Sequence, residues 1–419
     1  VSEYALKVLY RLKEAGYEGY LVGGCVRDLL LGREPKDFDV ATNALPDQVA
    51  HLFRNCRLIG RRFRLAHVHF GRNIIEVATF RSAHVEDQDQ DEAHSENGRI
   101  LRDNVYGTTL EDDAWRRDFT VNALYYNIRD FSVVDCMGGM DDLRAGLLRL
   151  VGEPEQRYRE DAVRMLRAVR FAAKLGFRIH PESEVPMTKL GHLLSEIPSA
   201  RLFEEVLKLF MGGCAVQTFE LLRHYRLFGH LFPDTEASLT RQRAHFPLTL
   251  LTHALVNTDE RIAQGKPVTP AFLFAALLWE PMRQLAEKKQ AEGMSEIEAM
   301  QLAAETVVLR QVSRIALPKR FSVPMREIWA MQYRLPQRAG KRALRLLAHP
   351  RFRAAYDFLL LRAAAGEEVQ ELADWWTHFQ ETDGSGQQTL LGTLAPSPAK
   401  KRRRRRAPRG RSAGQAAPE

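Results

Sequence analysis

The sequence predicts an α+β protein, with a head of mixed strands and helices over residues 1–150 and an all-α remainder. Three observations carry that expectation. Short β-branched runs recur up to Val134, and strand signals nearly vanish beyond Glu155. Pro154, Pro181, Pro198, Pro233, Pro270, Pro318 and Pro336 then cut the chain into lengths with a helical apolar period. At 419 residues the chain is long enough for about two to four structural units.

In the head, Tyr20–Val22 reads as a strand and Val26–Leu31 as a helix that Gly32 ends. Gly23 and Gly24 fall at the turn between them. Lacking a Cβ, they let backbone N–H groups approach an anion, and Arg27 in the first helical turn adds a charge-assisted donor. Ten residues past Arg27, Asp37 and Asp39 are two apart on a predicted strand and so share one face, with Phe38 and Val40 turned to a core. Paired hard oxygen ligands suit magnesium, which binds through one or two carboxylates and completes its shell with water and substrate phosphates. Such a glycine turn just ahead of such a pair points to chemistry on a nucleoside triphosphate.

Strands are further expected at Leu58–Gly60, Ala66–Phe70, Ile74–Phe80, Ala123–Ile128 and Phe131–Val134. Glu76, a charge inside a β-branched run, is a candidate third active-site carboxylate. The acidic run 86–92 has no apolar period and reads as a solvated surface loop. Arg116, Arg117, Asp118 and Asn122 offer donors and acceptors for a ribose and a phosphate, or a helix start capped by Asp118.

Residues 159–170 read as one helix, with Ala162, Met165, Leu166 and Val169 on the apolar stripe. Asp161, Arg164 and Arg167 follow at successive spacings of three on another face, a spacing that also suits a surface ion-pair ladder. A carboxylate and a guanidinium side by side accept from the amino group and donate to the ring nitrogen of adenine or cytosine; guanine and uracil carry the reverse pattern.

With 45% hydrophobic and 27% charged residues the composition is that of an ordinary globular protein. The longest apolar stretch, Ala271–Trp279, is too short to span a bilayer, and the opening residues carry no signal-peptide pattern. Cys25, Cys56, Cys136 and Cys214 are scattered without metal-ligand spacing, which fits a reducing, cytoplasmic setting. The net charge of +8 resides in residues 397–419, where nine Lys or Arg side chains face Glu419 alone. Lys400, Lys401, Arg402, Arg403, Arg404, Arg405 and Arg406 suit the phosphates of RNA, with affinity that falls as salt rises.

Five ordered segments resemble the class II nucleotidyltransferases, which include bacterial poly(A) polymerases and tRNA CCA-adding enzymes. They are the GGxVRD and DFD pair, RRDFTVNAL at 116–124, DCMGGMDDL at 135–143 and REDAVRMLRAVRFAAKLGF at 159–177. The stretch 58–68, IEVATFR, RFRAAYDFLLLRA at 351–363 and the arginine-rich tail are similar to the bacterial poly(A) polymerases in particular. The resemblance implies a polymerase-β-like head (1–150), a helical neck with the base-reading helix (151–215), a body (216–330) and an RNA-binding leg (331–383), and the Gly-, Ser-, Pro- and Arg-rich composition beyond predicts a disordered Arg-rich tail (384–419). It implies two magnesium ions on Asp37 and Asp39. Asp118 and Glu76 would join the catalytic carboxylates, while Gly23, Gly24, Arg27 and Arg117 would hold the nucleotide and Asp161 and Arg164 read its base. The expected activity is template-independent addition of AMP from ATP to RNA 3′ ends, with RNA-decay proteins as partners. A tRNA CCA-adding enzyme and a catalytically silent RNA-binding protein are the alternatives.

Overall fold

The structure, a computed structural model, describes residues 1–60, 64–82, 105–106, 109–241 and 246–393. The acidic run 86–92 and the basic cluster Lys400–Arg406 lie outside the described residues.

The chain opens with α1 (Glu3–Glu14), which sequence reading passed over; it buries Ala5, Val8, Leu9 and Leu12 at spacings of three and four. There follow β1 (Gly19–Val22), α2 (Gly24–Leu30), β2 (Asp39–Thr42), α3 (Pro46–Leu52), β3 (Cys56–Ile59), β4 (Leu65–Phe70) and β5 (Asn73–Thr79). A short pair, β6 (Arg81–Ser82) and β7 (Val105–Tyr106), precedes α4 (Leu110–Trp115), β8 (Leu124–Asn127) and β9 (Val133–Asp135). Seven strands make one sheet in the order β3-β4-β5-β2-β1-β8-β9. Only β2 and β5 pair in parallel there. Alternation divides the side chains: Leu21, Val40 and Val77 enter the main core, while Val22 and Ala41 meet Phe80, Ala114, Tyr125 and Val151 on the opposite face.

The DCMGGMDDL segment is an anchoring turn. Asp135 accepts from the amides of Met137, Gly139 and Met140 at the start of α5 (Gly139–Ala145). A Cβ on Gly139 would lie 2.2 Å from the Thr120 carbonyl oxygen, so only glycine allows that approach.

Beyond it, β10 (Leu147–Leu148) pairs in parallel with β11 (Arg178–Ile179) across α6 (Pro154–Glu160) and α7 (Val163–Leu175). After α8 (Pro181–Leu190) and α9 (Ser199–Phe210) the described chain is helical to Thr393. One core runs without interruption from Ala5 to Ala365, and a second gathers Leu335, Phe352, Trp376 and Phe379. Each fully buried side chain of leucine or phenylalanine size contributes about 1.5–3 kcal/mol.

Two expectations are corrected. Residues 159–170 are not one helix: α6 ends at Glu160, Asp161 adopts extended backbone (φ −150°, ψ 98°), and α7 starts at Val163. The segment after Gly384, expected to be disordered, begins as a helix over Gly384–Thr393. Asp383 accepts from the Gly386 amide at 2.8 Å, and Leu390 and Leu391 pack on the Trp376 cluster, which supplies the apolar burial a disordered segment lacks.

Candidate active site

At one end of the sheet, β1 stops at Val22 opposite Asp39, and Asp39 pairs with Glu76 on β5. The glycine turn and two carboxylates therefore share a single edge. Gly23 has φ +77°, the left-handed region that favours glycine, and its N–H donates to the Leu124 carbonyl at 3.2 Å. A Cβ there would lie 3.4 Å from Nη1 of Arg117. Asp37 does not share the strand as the spacing predicts, because β2 begins at Asp39 and Asp37 lies on its approach.

Asp39 is reached by solvent, yet it stands in a recess crowded by protein. That burial, then the Glu76 charge and to a lesser degree Asp37, push its carboxyl up to about 6 against the pull of Arg117. Glu76 also pairs with Nε2 of His67 at 3.4 Å.

Arg27 was expected to offer a donor to a triphosphate from the first helical turn. It is 2% exposed. Its guanidinium donates to Asp28 Oδ1 at 2.9 and 2.7 Å and to Asn122 Oδ1 at 2.5 Å, beneath the glycine turn. In this conformation Arg27 braces the turn from within.

A cleft of about 290 Å³ opens beside this edge, lined by Arg116, Arg117, Asp118, Asp161, Val163, Arg164, Arg167, Arg201 and Glu205. Six of the residues singled out from sequence, Arg116, Arg117, Asp118, Asp161, Arg164 and Arg167, thus meet in one place. Arg117 is held by Asp113, which accepts from its Nε and Nη2 at 3.2 and 2.9 Å and from the Tyr125 hydroxyl at 2.7 Å. Burial would raise the Asp113 carboxyl, but Arg117, Arg116 and Tyr125 hold it below the ordinary value. Asp118 faces the cleft rather than standing with Asp37 and Asp39. Its Oδ1 accepts from the Phe119 amide and Asn122, and its Oδ2 from Nε and Nη2 of Arg167 at 2.8 and 2.5 Å. Against its burial, those donors keep its carboxyl low.

Asp161 and Arg164 line the cleft without pairing to each other. Asp161 Oδ1 accepts from the Val163 amide at 3.2 Å, at the first residue of α7, and its Oδ2 from Arg201 of α9 at 2.6 Å. Arg164 uses Nη1 alone, towards the Arg157 carbonyl at 2.7 Å and Glu160 at 2.9 Å. Its Nε and Nη2 make no hydrogen bond among the described residues. Arg157 of α6 reaches back to the head, where Nη2 donates to the carbonyls of Arg116 and Arg117 at 3.1 and 2.7 Å.

Asp113, Tyr125, Arg157 and Arg201 were not singled out from sequence. Asp113 stands four residues before Arg117 on α4, a spacing that does signal a pair. Arg201 is forty residues from Asp161, and nothing local marks it.

Among the described residues, no three His, Cys, Asp or Glu side chains form a preformed metal cage. The donor set fits a cation completed by substrate: Asp37 and Asp39 offer hard oxygens, and burial with the neighbouring carboxylates outweighs Arg117 in shifting Asp39 upward. Among the described residues, no helix is long and apolar enough to cross a membrane.

Three family models match the chain: the poly A polymerase head domain at 19–149, the probable RNA and SrmB-binding site of polymerase A at 176–239, and the polymerase A arginine-rich C-terminus at 292–411. Poly(A) polymerase I of Salmonella typhi is 53% identical over 98% of this chain and 89% of its own length. That of Haemophilus influenzae is 49% identical over 96% and 90%. A CCA-adding enzyme of Bacillus pumilus is 36% identical over only 59% of this chain and 60% of its own. Among solved structures, the Bacillus stearothermophilus CCA-adding enzyme in complex with CTP superposes with a TM-score of 0.61 at 26% identity, covering 94% of this chain and 88% of that one.

Proposed function

The chain belongs to the poly(A) polymerase family, and from that premise we infer that it is a template-independent adenylyltransferase adding AMP from ATP to RNA 3′ ends. The observation that carries this reading is the sheet edge where the Gly23 turn, Asp39 and Glu76 lie together beside the cleft. Near-full-length likeness to poly(A) polymerases, against partial likeness to CCA-adding enzymes, favours RNA tailing over tRNA end addition.

In the reaction the RNA 3′-oxygen bonds to the ATP α-phosphorus and the α–β anhydride breaks, releasing pyrophosphate. Backbone amides at Gly23 and Gly24 receive the triphosphate, and Arg117 presents Nη1 to the same turn. Asp113 fixes the pose of that guanidinium. Asp118, oriented by Arg167, accepts from the ribose. Arg164 donates through its free edge to adenine N1 while Asp161 accepts from N6. Asp37 and Asp39, with Glu76 nearby, would hold magnesium, in our reading two ions, which would supply Lewis acidity at the hydroxyl and at the leaving pyrophosphate. A cytoplasmic setting and RNA-decay partners complete the proposal, as does RNA contact by the tail Lys400–Arg406.

Extension of unstructured RNA, and of tRNA lacking its end, with single nucleotides tests the reading. Long tails from ATP alone are expected, and Asp37→Ala or Asp39→Ala abolishes them while RNA binding persists. CTP-dependent addition of a short tRNA end would establish a CCA-adding enzyme instead; no incorporation would leave an RNA-binding protein.

A further inference from the structure

One face of α7 carries Arg167, Arg170 and Lys174 at spacings of three and four, leading away from the cleft. The ring of Phe171 is surrounded by three guanidiniums, with Arg170 at 4.6 Å, Arg27 at 5.2 Å and Arg167 at 5.4 Å. Two of the three have carboxylates of their own, Asp28 for Arg27 and Asp118 for Arg167. Arg170 has none, and its Nε is buried without a hydrogen bond. The nearby Glu205 pairs through Oε1 with Lys208 at 2.8 Å, and its Oε2 makes no hydrogen bond to Arg170.

The charge continues onto the segment that leads into Asp37. Arg33 donates to the carbonyls of Lys174 and Leu175 at 3.3 and 3.4 Å, which fixes that segment on the end of α7 and brings Lys36 near Lys174. None of Arg33, Lys36, Arg170 and Lys174 has a carboxylate within ion-pair distance among the described residues. Burial chiefly, and then their cationic neighbours, hold the side chains of Arg170 and Lys174 below their ordinary values. Asp28 acts on Lys174, and Glu205 and Asp118 on Arg170, without reversing either shift; cations gathered in excess of such carboxylates are costly unless an anion completes them.

We propose that Arg33, Lys36, Arg170 and Lys174 form a phosphate-binding ledge beside Asp37, engaging the RNA backbone just upstream of its 3′ end. The proposal rests on the adenylyl-transfer reading for the identity of the substrate. Guanidinium and ammonium groups are the donors that phosphate oxygens take, and contact of this kind is independent of sequence. Arg33, Lys36 and Lys174 are exposed, so the row meets solvent where a long strand can leave. The other source of the same chemistry is the triphosphate of the nucleotide.

The test is binding of 3′-blocked oligo(A), of ATP and of inorganic tripolyphosphate to the full chain, by anisotropy or calorimetry across a salt series. It compares the neutral variant Arg170→Gln/Lys174→Gln with the charge-keeping Arg170→Lys/Lys174→Arg. For the neutral variant, RNA affinity is expected to drop about tenfold at moderate salt and the log–log salt slope to flatten by roughly 1.4, about 0.7 for each phosphate contact. ATP affinity is expected to hold, and the charge-keeping variant to recover the RNA slope. Loss of ATP and tripolyphosphate binding with RNA unaffected would keep the phosphate site but assign it to the nucleotide. Unchanged binding of all three ligands, or equal losses in both variants, would overturn the ledge. A wild-type protein that binds oligo(A) yet extends no RNA would count against the adenylyltransferase reading, not against this site.

Discussion

Replacing Asp113 by alanine removes the carboxylate against which Arg117 is set. Asp113 is 2% exposed and receives two hydrogen bonds from Arg117 and one from Tyr125, at 3.2, 2.9 and 2.7 Å. Hydrogen bonds to a charged group contribute about 1.5–3 kcal/mol each, but breaking a buried pair costs about 3–5 kcal/mol in all. The lower end applies here, because the Arg117 side chain keeps 21% exposure and regains water. A loss of about 3 kcal/mol lowers the urea midpoint by about 1 M or less, because the slope of a 419-residue chain exceeds the about 1–3 kcal/mol per molar of small proteins. The sign with pH is also fixed. The folded Asp113 carboxyl lies below its ordinary value of 3.8, so its contribution is complete above that value and is lost as pH falls through the lowered one. The gap between wild type and Asp113→Ala therefore narrows in acid. Because Arg117 Nη1 borders the Gly23 turn, the KM for ATP should rise about tenfold, about 1.4 kcal/mol of nucleotide contact. Urea unfolding with an unchanged slope that shows a loss below about 1 kcal/mol, together with an unaltered KM, would refute the account.

Three further outcomes follow from the site. In the metal-free protein Asp39 should titrate near 6 by carboxyl NMR, and Glu76→Gln should bring it down. Since its folded value is raised, ionising Asp39 opposes stability as pH climbs from 3.8 to 6, and a titration unmoved by Glu76→Gln would contradict the charge coupling. Arg201→Ala releases one oxygen of Asp161, so CTP incorporation relative to ATP should rise about tenfold in single-nucleotide assays; an unchanged ratio would show that the tie does not shape base choice. Deleting 397–419 should raise the KM for RNA and flatten its salt dependence while turnover at saturating RNA persists, and an unchanged slope would remove the tail as an anchor.

The head was legible because its strands combine β-branched runs with turn residues. β4, β5 and β8 begin or end within about one residue of the expected positions. The helix break at Asp161 was not legible. Residues 159–170 hold an unbroken apolar period with no Gly or Pro, and the break is stabilised by Arg201, which is distant in sequence. The site divided along the same line. The glycine turn and the carboxylates are local patterns, whereas Arg27 reads as a free cation until Asn122, ninety-five residues on, is folded against it.

The α6–α7 junction is clasped from two sides, by Arg157 onto the carbonyls of Arg116 and Arg117 and by Arg201 onto Asp161. It follows that the head is not an exchangeable module. A chimera joined near residue 150 would take the Arg201 clasp whole from one parent but divide the Arg157 clasp between the two, and the spacing between triphosphate turn and base-reading residues would be inherited from neither. The smallest transplantable unit extends through α9, so that both clasps travel together and substrate choice passes intact from one scaffold to another.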